Sequence, residues 1–394
     1  MGHSSRRDAV TPTGGATRPT ADGSTRPAPD GTPPVPEASY TRPADAVAPL
    51  VPGDVAPRPG GSATRVRVVA LLVALALLLV LGVLSIVVGS SHVPLPTVLA
   101  ALTGGDVSAA DQHAVTGLRL PRTLAAAAVG AALAVAGALM QALTRNPLAE
   151  PGLLGVSAGS SFAVAMGISL LGLSDPSSYV WFALLGALLA TVAVTLISRT
   201  GGGRVDPVRL VLAGVALSAV LSGILGALRL SDPRTFNALQ VWEAGILSGR
   251  GLDVVGSVAP LLLPGLVLAL LLGKALNGVA MGDDVAASLG VSLARTRALS
   301  VLAITVLAGG ATAIAGPIAF IGLMVPHAAR RFAGADQRWV LALSLVLGPV
   351  LMIGADILAR LVVWPGEMPV GLVSALVGAP VLVALARRRK ALSL

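Results

Sequence analysis

A few residue groups in this 394-residue sequence have types and spacings that could do chemistry. Residues 155–159 read Gly-Val-Ser-Ala-Gly, a formal match to the nucleophile elbow of serine hydrolases. That elbow needs a strand, a sharp turn, a helix and a histidine base. Here the match opens an apolar helix, and only His327 lies near the core of any apolar segment. Small residues at this spacing are better explained by helix packing. His3, His92, His113 and His327 lack the i,i+4 pairing of metal ligands, so no metal site is expected. His327 reads as a satisfied interfacial histidine. Asp356 and Arg360 lie one turn apart, which suits an intrahelical ion pair. No G-x-x-x-x-G-K-[ST] phosphate loop occurs, so the chain holds no nucleotide-driven motor of its own. The apolar segments also lack the buried series of Asp, Glu and His that proton-coupled carriers use. No catalytic residue and no cofactor motif is identified.

The elements that must position these groups are set by composition. The chain is 54% hydrophobic and 12% charged, about half the ~25% charged residues of soluble domains. With a mean hydropathy of +0.84, it reads as an integral membrane protein. The absence of cysteine excludes a disulfide scaffold, a thiolate metal site and a lipid-anchored cysteine. Residues 1–67 differ: they hold 12 of the 28 prolines, 8 glycines, 8 arginines and 6 acids. Such material buries too little apolar surface to offset its chain entropy, so a disordered cytoplasmic tail is expected there. The first apolar run starts at Val68, too late for a cleavable signal peptide.

From Val68 to Lys390 the chain reads as one all-α membrane domain. Ten apolar segments approach the ~20 residues that a bilayer requires. They are 68–88, 121–143, 152–172, 179–198, 208–229, 254–273, 297–317, a shorter one at 318–331, 339–362 and 369–386. Residues 236–248 are amphipathic and too short to span, so they belong at an interface. With the N-terminus inside, the inner loops beyond residue 67 carry 14 Lys and Arg against 6 in the outer loops, which places both termini in the cytoplasm. The +9 net charge therefore reports topology, and no nucleic-acid partner is expected.

Residues 130–149 and 309–328 align without gaps, pairing Gly130 with Gly309, Gly137 with Gly316 and Pro147 with Pro326. An inverted internal repeat of this kind is a transporter signature. Small residues recur at four-residue spacing, as in Gly130, Ala134 and Ala138, in Gly155, Gly159 and Ala163, and in Gly186 and Ala190. They predict close helix–helix contacts. The loop 278–297 holds Asp283 and Asp284 at the start of a short helix that Gly290 can close in the left-handed conformation. Such a helix on the cytoplasmic face is something a separate motor could push.

Several of these motifs occur together in one family. Arg119-Leu-Pro-Arg122, Asn146-Pro-Leu-Ala-Glu-Pro-Gly-Leu-Leu-Gly155 and Gly282-Asp-Asp-Val-Ala-Ala-Ser-Leu-Gly290 are followed by Gly316-Pro-Ile-Ala-Phe-Ile-Gly-Leu-Met-Val-Pro-His327, Ala355-Asp-Ile-Leu-Ala-Arg360 and Glu367-Met-Pro-Val-Gly371. In this order they resemble the permease subunits of type II ABC importers for iron–siderophores, haem and cobalamin. The resemblance implies ten helices per subunit and a channel between two permease subunits, identical or paralogous. It also implies two cytoplasmic ATPase subunits, an extracytoplasmic binding protein and a metal-chelate substrate, with ferric siderophores foremost. By the same resemblance, Asp283, Asp284, Val285, Ala286, Ala287, Ser288, Leu289 and Gly290 match the coupling helix. Asn146 and Leu148, more loosely Pro207, match the cytoplasmic gate. Arg119, Arg122 and Arg360 match arginines that receive acids of the binding protein. The residues alone keep an ion-coupled secondary carrier open as the alternative class.

Overall fold

The computed structural model describes residues 61–89, 93–199, 207–364 and 366–390. Most of the expected tail lies outside these residues, as do His3, His92 and Arg204. The chain divides into two units at Arg58, and everything below concerns the second.

The described residues are helical almost throughout. In chain order the helices are α1 (Gly61–Val87), α2 (Leu95–Thr103), α3 (Ala109–Gln112), α4 (Leu120–Thr144), α5 (Val156–Leu171), α6 (Pro176–Arg199) and α7 (Pro207–Ser231). They continue with α8 (Pro233–Glu243), α9 (Leu252–Ala280), α10 (Asp283–Ser288), α11 (Leu293–Ala315), α12 (Ile321–Ala333), α13 (Gln337–Val362) and α14 (Val370–Lys390). A π-helical turn, His113–Arg119, joins α3 to α4, and a 3-10 turn, Pro151–Leu154, precedes α5. Helices dominate because a bilayer offers no water to an unpaired backbone group, and a helix satisfies its own.

Each of the ten expected segments falls on one helix, but the lengths differ from expectation. Among the described residues, seven helices are long and apolar enough to cross a membrane, α4 being counted together with α3 and the π-helical turn before it. The segments at 152–172, 318–331 and 369–386 become helices with shorter apolar stretches. Their shortening has local causes. The 3-10 turn and Gly155 delay α5 to Val156. Gly316, at φ 78°, ends α11, and a Cβ there would lie 2.1 Å from the Trp242 carbonyl oxygen. Phe320, at φ 70°, then delays α12 to Ile321. The gapless repeat is not matched by local structure: Gly137 lies inside α4, whereas Gly316 terminates α11. The expected tail boundary also shifts, since residues 61–67 belong to α1. The amphipathic 236–248 segment is α8, begun earlier by the Asp232 cap and Pro233.

Three helices form the centre. The apolar stretches of α4, α11 and α13 are 83, 78 and 67% buried, whereas that of α1 is 11% buried and turns leucines such as Leu72 and Leu79 outward. Backbone contact holds α4 in place. A Cβ on Gly137 would fall 1.9 Å from the Gly322 carbonyl oxygen of α12, and one on Gly130 2.5 Å from that of Gly348 in α13. Gly159 and Ala163 of α5 meet Gly186 and Ala190 of α6 in the same way. Lipid provides no hydrophobic drive between helices, so such close approach is what gives the bundle its cohesion. The Gly-Val-Ser-Ala-Gly segment is therefore a packing element, entered from a 3-10 turn rather than a strand.

Candidate functional site

α4 connects two clusters of polar residues at its opposite ends. At its N-terminal end, Arg122 donates from Nε to both Asp356 oxygens (3.0 and 3.1 Å), from Nη2 to Asp356 Oδ1 (2.8 Å) and from Nη1 to Glu367 Oε2 (2.7 Å). Asp356 also accepts from Arg360 one turn later, so the expected intrahelical pair is present, but it is shared with α4. The Arg360 guanidinium donates further to the Ser85 and Val88 carbonyls at 2.8 Å, and Arg119 to those of Ile86 and Val87 at 3.0 and 2.9 Å. These carbonyls end α1, where a helix presents unpaired acceptors and negative partial charge. The π-helical turn ends at Arg119, and Ser85 meets Thr123 through their hydroxyls at 2.8 Å.

Arg119, Arg122 and Arg360 are all buried, at 6, 8 and 3% exposure, with Asp356 at 0%. They do not reach outward to lipid headgroups. They nevertheless line, with Glu367, Gly89, Leu118 and Ser248, a polar cavity of about 100 Å³. Asp356 joins Arg122 to Arg360, Glu367 holds Arg122, and Asp111 lies close enough to Arg119 to act on it electrostatically. Glu367 was not assigned a role from the sequence. Its place in the Glu-Met-Pro-Val-Gly motif was the available signal.

The opposite end of α4 carries the remaining candidates. Arg145 closes the helix at φ 51°. Asn146 Oδ1 then accepts from the Leu148 N–H at 3.0 Å, an Asx turn that fixes the loop. Pro207 opens α7, which lies against the 3-10 turn where Gly214 meets the Leu153 carbonyl. Residues 200–206 before it are outside the described part.

The segment expected at 283–290 is α10, six residues from Asp283 to Ser288, with Leu289 as its C-cap and Gly290 at φ 76°. Ala286 is fully buried toward α9, whereas Val285, Leu289 and the preceding Met281 are 44, 60 and 58% exposed. Asp284, Ala287 and Ser288 are exposed with them. Asp283 is held by Arg145 and, at 2.8 Å, by Arg297. Burial pushes its carboxyl up, but these hydrogen bonds outweigh burial and hold it below the usual carboxylate range. Among the described residues no group of three His, Cys, Asp or Glu is placed to hold a metal. His327 lines a separate apolar cavity of about 690 Å³ among α1, α12, α13 and α14.

Residues 77–388 match the FecCD transport family. Over 330 residues the chain is 48% identical to the ferric enterobactin transport system permease protein FepD of Escherichia coli (strain K12), covering 84% of this chain and 98% of that protein. It is 38% identical over 283 residues to the hemin transport system permease protein HmuU of Yersinia pestis, covering 71% and 84%. Among solved structures, an inward-facing conformation of a metal-chelate type ABC transporter superposes with a TM-score of 0.72 at 27% identity, over 81% of this chain and 98% of the other.

Proposed function

The chain belongs to the FecCD transport family, and from that premise we propose that its cargo is a ferric siderophore. It is a multi-pass membrane protein and the permease subunit of an ABC importer of the metal-chelate type. The cargo reading is carried by the 48% identity over nearly the whole length of a ferric enterobactin permease. Haem is the second reading, favoured by the likeness to a hemin permease, and cobalamin the third.

The working assembly pairs this subunit with a second permease, identical or paralogous, two cytoplasmic ATPase subunits and an extracytoplasmic binding protein. ATP is hydrolysed by the ATPase subunits. Both termini face the cytoplasm, which puts α10 and the Asn146–Leu148 loop inside and the arginine cluster outside. α10 offers an exposed apolar face, Met281, Val285 and Leu289, to an ATPase subunit. Asn146, Leu148 and Pro207 form this subunit's share of the gate. The arginine-lined cavity fits an acidic side chain of the binding protein. Guanidinium suits that role because it stays charged and binds carboxylate in a fork.

The test reconstitutes the permease with its ATPase subunits and binding protein in vesicles. Siderophore-bound radioactive iron, labelled haem and labelled cobalamin are offered at equal concentration. ATP-dependent accumulation of siderophore iron above the other two is expected. A preference for haem or cobalamin would replace the cargo. Accumulation driven by an ion gradient without ATPase subunits would overturn the importer reading. Docking of the binding protein should weaken with salt, and Arg119→Glu with Arg122→Glu should weaken it strongly. Acid-to-Arg changes on the partner should restore part of it.

A further inference from the structure

Arg145 stands where two parts of this machinery meet. It follows the last residue of α4 in the left-handed region, φ 51°, which is unfavourable for any residue with a Cβ. Its N–H closes α4 on the Gln141 carbonyl. From this position Nε donates to the Val279 carbonyl in the last turn of α9 at 2.9 Å, and Nη2 donates to Asp283 Oδ1, on the first residue of α10. The other Asp283 oxygen accepts from Arg297 Nη2, near the start of α11, at 2.8 Å. Asp283 is thus gripped from both sides, so its half-exposed carboxylate cannot swing freely into water. On the other side of Arg145, the next residue in the chain is Asn146, whose side chain fixes the loop to Leu148. One residue separates the end of α10 from the gate loop.

We propose that Arg145 and Asp283 form a clasp through which a displacement of α10 reaches the Asn146–Leu148 loop, which makes Arg145 a positioning residue for the gate. This rests on the reading of α10 as the ATPase contact and of the loop as part of the gate. The fork of Arg145 is what gives the clasp direction. One arm fixes the guanidinium to the α9 backbone and the other follows Asp283, so motion of α10 relative to α9 turns the guanidinium and, with it, the strained backbone at the head of the loop. The side chains of Arg145 and Asp283 are 42 and 43% exposed. A pair so exposed adds little stability, so its loss leaves folding largely untouched while removing the shortest link between the two elements.

The sequence contains no cysteine, so Leu148→Cys introduces the chain's only thiol. In vesicles carrying the complex with its ATPase subunits, the rate of maleimide labelling is compared with and without a non-hydrolysable ATP analogue, and uptake per ATP hydrolysed is measured alongside. Nucleotide should change the labelling rate. Arg145→Gln should shrink that change about fivefold, the ratio equivalent to the ~1 kcal/mol of a solvent-exposed ion pair, and lower uptake per ATP with it. Arg145→Lys keeps the charge without the fork and should also reduce the response; it is the variant read if Arg145→Gln does not assemble. An unchanged response in the assembled variant overturns the clasp, and a thiol indifferent to nucleotide in the parent overturns the gate assignment and the clasp together. Ala287→Glu separates the two readings. If it disrupts ATPase binding while the Arg145 variants respond normally, only the clasp falls. If it leaves binding and the response intact, the reading of α10 falls.

Discussion

Replacing Asp356 with alanine removes the carboxylate that two buried guanidiniums share. Asp356 is fully buried and accepts from Arg122 at 2.8, 3.0 and 3.1 Å and from Arg360 at 3.0 Å. After the change, Arg122 retains Glu367 at 2.7 Å, whereas Arg360 loses its carboxylate partner and keeps its hydrogen bonds to the Ser85 and Val88 carbonyls. Breaking a buried pair by removing one partner leaves an uncompensated charge and costs ~3–5 kcal/mol. Against a typical folding margin of ~5–15 kcal/mol that is a large fraction. The exposed Asp175, which caps α6 through the Ser177 N–H at 3.1 Å, provides the contrast. Its change to alanine should cost ~1 kcal/mol, the value of an N-cap. Equilibrium unfolding of the purified chain by SDS in mixed micelles, followed by circular dichroism, measures both. A cost for Asp356→Ala no larger than that for Asp175→Ala would refute the idea that this cluster ties α1, α4 and α13 together.

Gly137→Ala places a Cβ 1.9 Å from the Gly322 carbonyl oxygen, where only backbone could yield, and should cost ~1–3 kcal/mol. Gly82→Ala meets nothing within 4 Å and should gain up to ~1 kcal/mol in the same assay. Equal effects would contradict the packing described for α4. Because Asp283 titrates below its ordinary value of 3.8, its ionised form stabilises the clasp at neutral pH and is lost only as pH falls through that lowered value. The ratio of Leu148→Cys labelling rates with and without nucleotide, in which the thiolate fraction cancels, should therefore be flat between about pH 5 and 8, and a titration of that ratio inside the window would place a different group in the link. Deleting residues 2–60 should leave membrane insertion and uptake intact, since that stretch is polar, proline-rich and outside every apolar segment. Loss of uptake at normal expression would assign the tail a function.

The helices were legible because a long apolar run has one way to satisfy its backbone in lipid, and all ten runs became helices. Their ends were less so. Gly316 is of the type that ends a helix, but nothing announces a second positive-φ position four residues later, since Phe320 is a side chain that ordinarily avoids that region. The π-helical turn at His113–Arg119 and the short α2 were not foreseen either, because neither has a repeating pattern to detect. In the arginine cluster, spacing disclosed the pair that one helix contains, Asp356 with Arg360. The contact of Arg122 with Asp356 joins residues 234 positions apart, and pairing over such a distance leaves no local trace. Arg145 was counted only as a positive charge on the inner side. A basic residue directly after a helix and two before a proline is a C-cap signal, but its reach to Val279 and Asp283 depends on how α9 returns to α4.

That long separation also has a consequence in time. α4 is synthesised early, and the chain that supplies Asp356 follows 234 residues later, roughly 10–50 s at about 5–20 residues per second. Over that interval Arg122 has no carboxylate from α13, and Gly130 has no Gly348 to rest against. The element at the middle of the finished bundle is therefore among the first to be made and the last to be enclosed. The arrival of α12, α13 and the segment after α13 that holds Glu367 completes its charge pairing and its backbone contacts almost together. A ribosome stalled before α13 would leave the nascent chain with an open centre and with Arg122 lacking its α13 carboxylate.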